Sequence, residues 1–174
     1  MVHLTKIYTK TGDEGKTSIA NNFRVMKIDP IIEAIGAVDE ANSAIGMMGI
    51  HSDIVDRIQN DLFDLGADLA GADTVKISQK RIEWLEAVID DMNEYLEPLH
   101  SFVLPTGPVH NARTIVRRAE RAVWIAYESH GEVDNLRVSE LIPQYLNRLS
   151  DLLFVMARYH NKGSEKLWKP LGNV

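Results

Sequence analysis

The chain of 174 residues contains no cysteine. Disulfides, thiolate metal sites and a cysteine nucleophile are therefore excluded, and a reducing, cytoplasmic setting is expected. Long apolar runs are also missing: the longest, residues 152–157, is far too short to span a bilayer. No apolar h-region follows Met1, so a secretory signal is not expected. Basic residues are outnumbered, 19 against 25 acidic, and a net charge of −6 argues against a general nucleic-acid binder. Histidines are few and scattered, and the one Glu-x-x-His, from Glu97 to His100, is interrupted by Pro98. A di-iron bundle needs two such motifs, so no metal ligand is assigned. No convincing Ser–His–Asp arrangement is present either.

What the chain does have is helical period. Asp29-Pro30 is an N-cap followed by proline at the first helical position, and Ile31, Ile35, Val38, Asn42 and Ile45 recur to about Ile50. Ser52-Asp53 opens a second helix with Ile54, Ile58, Leu62, Leu65 and Leu69 inward, ending near Gly71. A third, from Ser78, carries Ile82, Leu85, Met92 and Leu96 and stops at Pro98. A fourth runs from about Val109 to Ser129, and a fifth has Pro143 in its first turn and reaches about Asn161. Residues 130–142 are irregular at first, with a short turn around 138–141. Residues 1–28, glycine- and threonine-rich between Thr9 and Ser18, read as an extended arm. The tail from Lys162 reads as loosely ordered, with Trp168 available to pin it. The expectation is one all-α domain over 1–174: an up-and-down five-helix bundle (about 30–161) with an extended N-terminal arm (1–28) and a tail (162–174).

Three groups of residues could carry chemistry. On the fourth helix Arg113, Arg117 and Arg121 stack along one edge with Glu120 among them. Stacked like charges repel, so such an edge expects a polyanion or partner carboxylates, unless it is only a solvated ridge. In the arm, Gly15-Lys16-Thr17 is not a phosphate loop, because Lys10 stands where that motif needs glycine. What remains is the makings of an anion nest: Gly12 and Gly15, the hydroxyls of Thr9, Thr11 and Thr17, and the cations Lys10 and Lys16. A flexible polar terminus has the same composition. On the first helix Gly36, Asp39, Ser43 and Gly46 form a stripe of small residues around one carboxylate. That carboxylate either meets the arginine helix or lies on a solvated edge. On the last helix Asn147, Asp151, Phe154 and Arg158 share a polar stripe beside the core positions.

Taken together, Tyr8–Thr17, Gly36–Ser43, Phe102-Val-Leu-Pro105, Ala112–Arg121 and Tyr145–Phe154 resemble, in order, the PduO-type ATP:cob(I)alamin adenosyltransferases. The similarity runs from about residue 6 to residue 160. It implies a homotrimeric five-helix bundle that binds ATP and a corrinoid between subunits. The implied reaction transfers the 5′-deoxyadenosyl group of ATP to the cobalt of cob(I)alamin, giving adenosylcobalamin and triphosphate with Mg²⁺. A reductase supplying Co(I) is a further implied partner, with no nucleic acid and no membrane involved. By position the resemblance assigns ATP contacts to Thr9, Lys10, Thr11, Gly12, Thr17, Lys27, Arg117, Arg118, Glu120, Arg121 and Asn147. It assigns catalytic weight to Arg117 and Glu120 and to a salt bridge between Asp39 and Arg113, and it sets Phe102 against the lower corrin face. The connection from Thr106 to Asn111 is shorter than in the family, and that of 130–142 a few residues longer. The shortening beside Phe102 keeps an alternative open, a non-catalytic nucleotide- or corrinoid-binding bundle acting as escort or sensor.

Overall fold

The computed structural model describes residues 7–20, 23–130, 137–162 and 164–171. The expected irregular stretch at 131–136, the first six residues, and the ends of the arm loop and tail at 21–22, 163 and 172–174 lie outside the described residues.

Among the described residues five helices form: α1 (Pro30–Gly46), α2 (Asp53–Leu69), α3 (Gln79–Asn93), α4 (Gly107–His130) and α5 (Leu141–His160). Their starts follow capping chemistry. The Asp29 carboxylate accepts the Ile31 N–H at 2.9 Å, and the Ser52 hydroxyl accepts the Val55 N–H at 3.3 Å. The α4 helix packs on both α1 and α5, α3 on α5, and α2 on α1. Buried aliphatic residues of all five join in one core, with Ile31, Ile58, Leu65, Leu85, Val123, Leu149 and Leu153 virtually inaccessible. None of the helices is long and apolar enough to cross a membrane.

A buried polar knot ties three helices. Asp61 of α2, wholly inaccessible, accepts the Tyr145 hydroxyl of α5 at 3.0 Å and pairs with Arg81 of α3. Arg57 of α2 also stacks on Trp84 of α3, 3.9 Å from the ring centre.

Four boundaries differ from expectation. The arm is not merely extended: β1 (Lys16–Ser18) and β2 (Arg24–Met26) pair antiparallel, with Thr17 opposite Val25. Turn positions prepare it, for Lys10 and Gly15 take φ of +62° and +77°. The hairpin is fastened to the end of α2 by Ala20 N–H donating to Ala70 O at 2.9 Å. The α1 helix stops at Gly46, short of Ile50. The α3 helix stops at Asn93, before Leu96, because Pro98 bars Glu97 from helical geometry, and residues 94–96 continue as turns. Finally, α4 starts at Gly107 rather than Val109, so most of the 106–111 connection is helical.

Candidate functional site

The arm brings its candidates together. Thr9 and Thr11 hydroxyls bond at 2.9 Å, and Arg24 donates to Thr11 O at 2.8 Å. Lys27 N–H donates to Gly15 O at 2.8 Å, and the Lys27 ammonium lies across Gly12, where a Cβ would stand 3.1 Å from Nζ. Glycine at 12 is thus what lets that cation fold over the turn. Thr17 sits in β1, and Lys10 is exposed in a left-handed turn. The result is a small exposed cluster of cations and hydroxyls over a tight backbone turn, suited to phosphate oxygens.

The helices supply a second group. Across α4 and α5, which run antiparallel, Asn147 donates to Glu120 at 3.3 Å. Arg148 holds the other end of that amide, donating to Asn147 Oδ1 at 3.0 Å while its Nε bonds Glu86 at 2.8 Å. These residues line a cavity of about 330 Å³ between α3, α4 and α5, with Trp124 and Gln144. Farther along, Arg113 feels the charge of Asp151, and His110 meets the ring of Phe154 edge-on at 6.0 Å. A polar strip therefore descends the α4–α5 seam for about 15 Å, from Glu120 to His110. Arg117, Arg118 and Arg121 project beside it, all exposed. Arg121 folds back to donate to Arg117 O at 2.9 Å.

One expected pairing is not formed within the chain. Asp39 is exposed, as are Gly36, Ser43 and Gly46, and Arg113 is half-buried with its Nε unpartnered. The carboxylate of α1 that does reach the arginine helix is its neighbour Glu40, paired with Arg118. Adjacent helical residues point about 100° apart, so Asp39 points away from the direction in which Glu40 meets Arg118. Among the described residues no hydrogen bond or ion pair joins the arm candidates to Arg117, Arg118 or Arg121.

Phe102 lies at the far end of the seam, its ring 77% exposed. The tail is not loose there: Trp168 N–H donates to Phe102 O at 2.7 Å and the two rings meet edge-on at 6.1 Å. Sequence reasoning missed four partners: Glu40, Arg148, Glu165 and His110. The first three are contacts between helices or with the tail, which periodicity does not encode.

His110 has chemistry of its own. It is 2% exposed, and among the described residues neither ring nitrogen has a hydrogen-bond partner. Burial and then the Arg113 charge push its pKa below the usual 6.5, with Glu165 pulling the other way. The folded-state value is lower than the unfolded one. The neutral ring's stabilisation is therefore complete above about pH 6.5 and is lost as pH falls through the folded-state value. Thermal midpoints measured from pH 8 to pH 5 should show the parent falling relative to His110→Leu; parallel curves would contradict this.

The comparisons agree with this geometry. Residues 7–160 match the family model described as cobalamin adenosyltransferase. The chain is 45% identical to a corrinoid adenosyltransferase of Mycobacterium leprae, covering 98% of this chain and 99% of that one. It is 40% identical to a cobalamin adenosyltransferase of Cupriavidus metallidurans, over 95% of each. Among solved structures, a phenylalanine-to-alanine variant of the PduO-type ATP:corrinoid adenosyltransferase from Lactobacillus reuteri, complexed with cobalamin and ATP, superposes with a TM-score of 0.83. That match has 35% identity and covers 94% of this chain and 99% of the other. A five-helix bundle with an arginine-edged α4, a paired Glu120 and Asn147, and Phe102 at the seam's end thus belongs to the cobalamin adenosyltransferase family.

Proposed function

We propose that this enzyme adenosylates a corrinoid with ATP, and that the α4–α5 seam sets the direction of the transfer. The substrates are ATP and cob(I)alamin, in the cytoplasm, and the products are adenosylcobalamin and triphosphate. The Co(I) lone pair attacks C5′, the C5′–O bond breaks, and its electron pair leaves on triphosphate. Cobalt is the nucleophile, so no activated side chain is required of the protein.

The protein's work is positional and electrostatic. Thr9, Lys10, Thr11, Gly12, Thr17 and Lys27 cradle phosphate oxygens, and Arg117, Arg118 and Arg121 neutralise the departing charge. Glu120 and Asn147, already bonded and braced by Arg148, offer a fixed carboxylate and amide to the nucleotide. Mg²⁺ enters with the nucleotide substrate, since that ion is usually bound through substrate phosphates. At the other end Phe102 presents an apolar ring where an axial donor would otherwise ligate cobalt, which favours Co(I).

The observation that carries this reading is the seam itself, with a bonded Glu120–Asn147 pair beside the arginines at one end and an exposed Phe102 at the other. The separation of arm and arginine edge within one chain favours a homotrimer in which one protomer's arm closes on the next one's α4. The exposed Asp39 then reaches the neighbour's Arg113, whose Nε lacks a partner here. An external reductase supplies Co(I).

The test is anaerobic incubation with ATP, Mg²⁺ and chemically reduced cobalamin, following Co–C bond formation and triphosphate. A folded protein that binds ATP without forming the bond would instead be an escort or sensor. Phe102→Ala should leave the KM for ATP unchanged and slow turnover about tenfold or more. It should also leave bound cob(II)alamin with the spectrum of its lower-ligand-bound form. A parental spectrum would remove Phe102 from the corrinoid face.

A further inference from the structure

Phe102 belongs to the stretch between α3 and α4, residues 94–106, which has little structure of its own. Its middle is bonded to the tail. Leu104 N–H donates to Lys166 O at 2.8 Å, Trp168 N–H to Phe102 O at 2.7 Å, and the Ser101 hydroxyl to Trp168 O at 2.8 Å. These bonds make an antiparallel bridge centred on Val103 and Leu167. Phe102, Leu104, Leu167 and Trp168 all keep apolar surface exposed on it.

The tail, in turn, is tied to the bundle by one buried ion pair. Arg158 of α5 donates from Nε to Glu165 at 2.8 Å and from Nη2 to Glu97 O at 2.8 Å. The two charged side chains are only 7% and 4% exposed. One guanidinium therefore holds together the two segments that lead into the bridge, the tail through Glu165 and the α3–α4 stretch through Glu97. Burying a charge pair is a poor way to gain stability, because desolvation offsets most of the attraction. The planar fork is, however, well suited to fixing two chain segments at a set spacing. A cavity of about 590 Å³ lies beside it, lined by Tyr95, Leu99, His100, Tyr159 and Leu167, so the surrounding packing alone does not fix the bridge.

We infer that Arg158 and Glu165 are positioning residues for the corrinoid half of the reaction. Their buried ion pair sets the height and register of the Val103–Leu167 bridge, and through it the Phe102 ring. This rests on the reading that Phe102 faces the corrin ring. It assigns the pair no contact with either substrate.

The experiment uses the full chain carrying Glu165→Gln, which preserves shape and removes the charge, and Arg158→Lys, which preserves charge and removes the fork. Each is assayed with ATP and chemically reduced cobalamin, with thermal midpoint and tryptophan emission, to which Trp84, Trp124 and Trp168 all contribute, recorded alongside. The expected result is a KM for the corrinoid raised about 10- to 100-fold, an unchanged KM for ATP, and shifted tryptophan emission. Bound cob(II)alamin should take the spectrum of Phe102→Ala in the same assay. Equal losses for both substrates, or unchanged corrinoid parameters, would overturn the inference. Glu165→Gln disposes of the case in which Arg158→Lys fails to fold, since either variant alone gives the split. Turnover by the parent with no split in the variants sinks the positioning role alone. An inactive parent, or a Phe102→Ala variant with parental corrinoid kinetics, sinks the underlying reading instead.

Discussion

Replacing Arg117 with alanine should cut turnover about 10²- to 10³-fold and raise the KM for ATP. Arg117 sits at the centre of the arginine edge, exposed, one turn from Arg113 and one from Arg121. Its backbone carbonyl is engaged by Arg121, yet among the described residues its own guanidinium has no hydrogen-bond or ion-pair partner. A free fork on a line of like charges is held ready for an anion, and the charge that grows as triphosphate departs is the anion to hand. Loss of that donor weakens ground-state binding and, more severely, the stabilisation of the leaving group. Steady-state kinetics with both substrates varied decides it; unchanged kcat and KM would remove Arg117 from the reaction. Arg118→Ala should do less, because Glu40 already occupies Arg118.

The second large effect concerns the fold. Asp61→Ala should cost about 1–3 kcal/mol, the usual toll of leaving a buried hydrogen-bonding group without its partner. It would strand the buried hydroxyl of Tyr145 and leave Arg81, which meets it at Asp61 from another helix, with Asp64 alone at 3.3 Å. Denaturant unfolding should show a much lower midpoint with little change in slope. Burial already raises the Tyr145 phenol well above its usual pKa, so that hydroxyl cannot escape its predicament by ionising. A loss below about 1 kcal/mol would mean that water replaces the carboxylate without strain.

Much of this was legible in the sequence. Helix starts were readable because capping is local: Asp29 and Ser52 bond backbone groups two and three residues away. Core stripes followed from period. The hairpin was not readable, since strands of three residues carry too few alternations to separate from a glycine-rich turn. The site divides the same way. Glu120, Asn147 and the arginines could be named from spacing and resemblance, but the choice between Asp39 and Glu40 as partner of α4 could not. Both lie on α1 within one residue, and only the azimuth of the packed helix separates them. The partners Arg148 and Glu165 stayed hidden because they act across 62 and seven positions respectively, between segments whose docking no local rule specifies.

Ser101 and Trp168 meet across 67 positions of chain. Closing so wide a loop early in folding is entropically unfavourable, whereas helical hairpins such as α4 with α5 form from nearer segments. The aromatic platform is therefore expected to be the latest part of the molecule to assemble and the earliest to come apart. Amide exchange at Leu104 and Trp168 should accordingly proceed by local fraying, hours ahead of the helical interior.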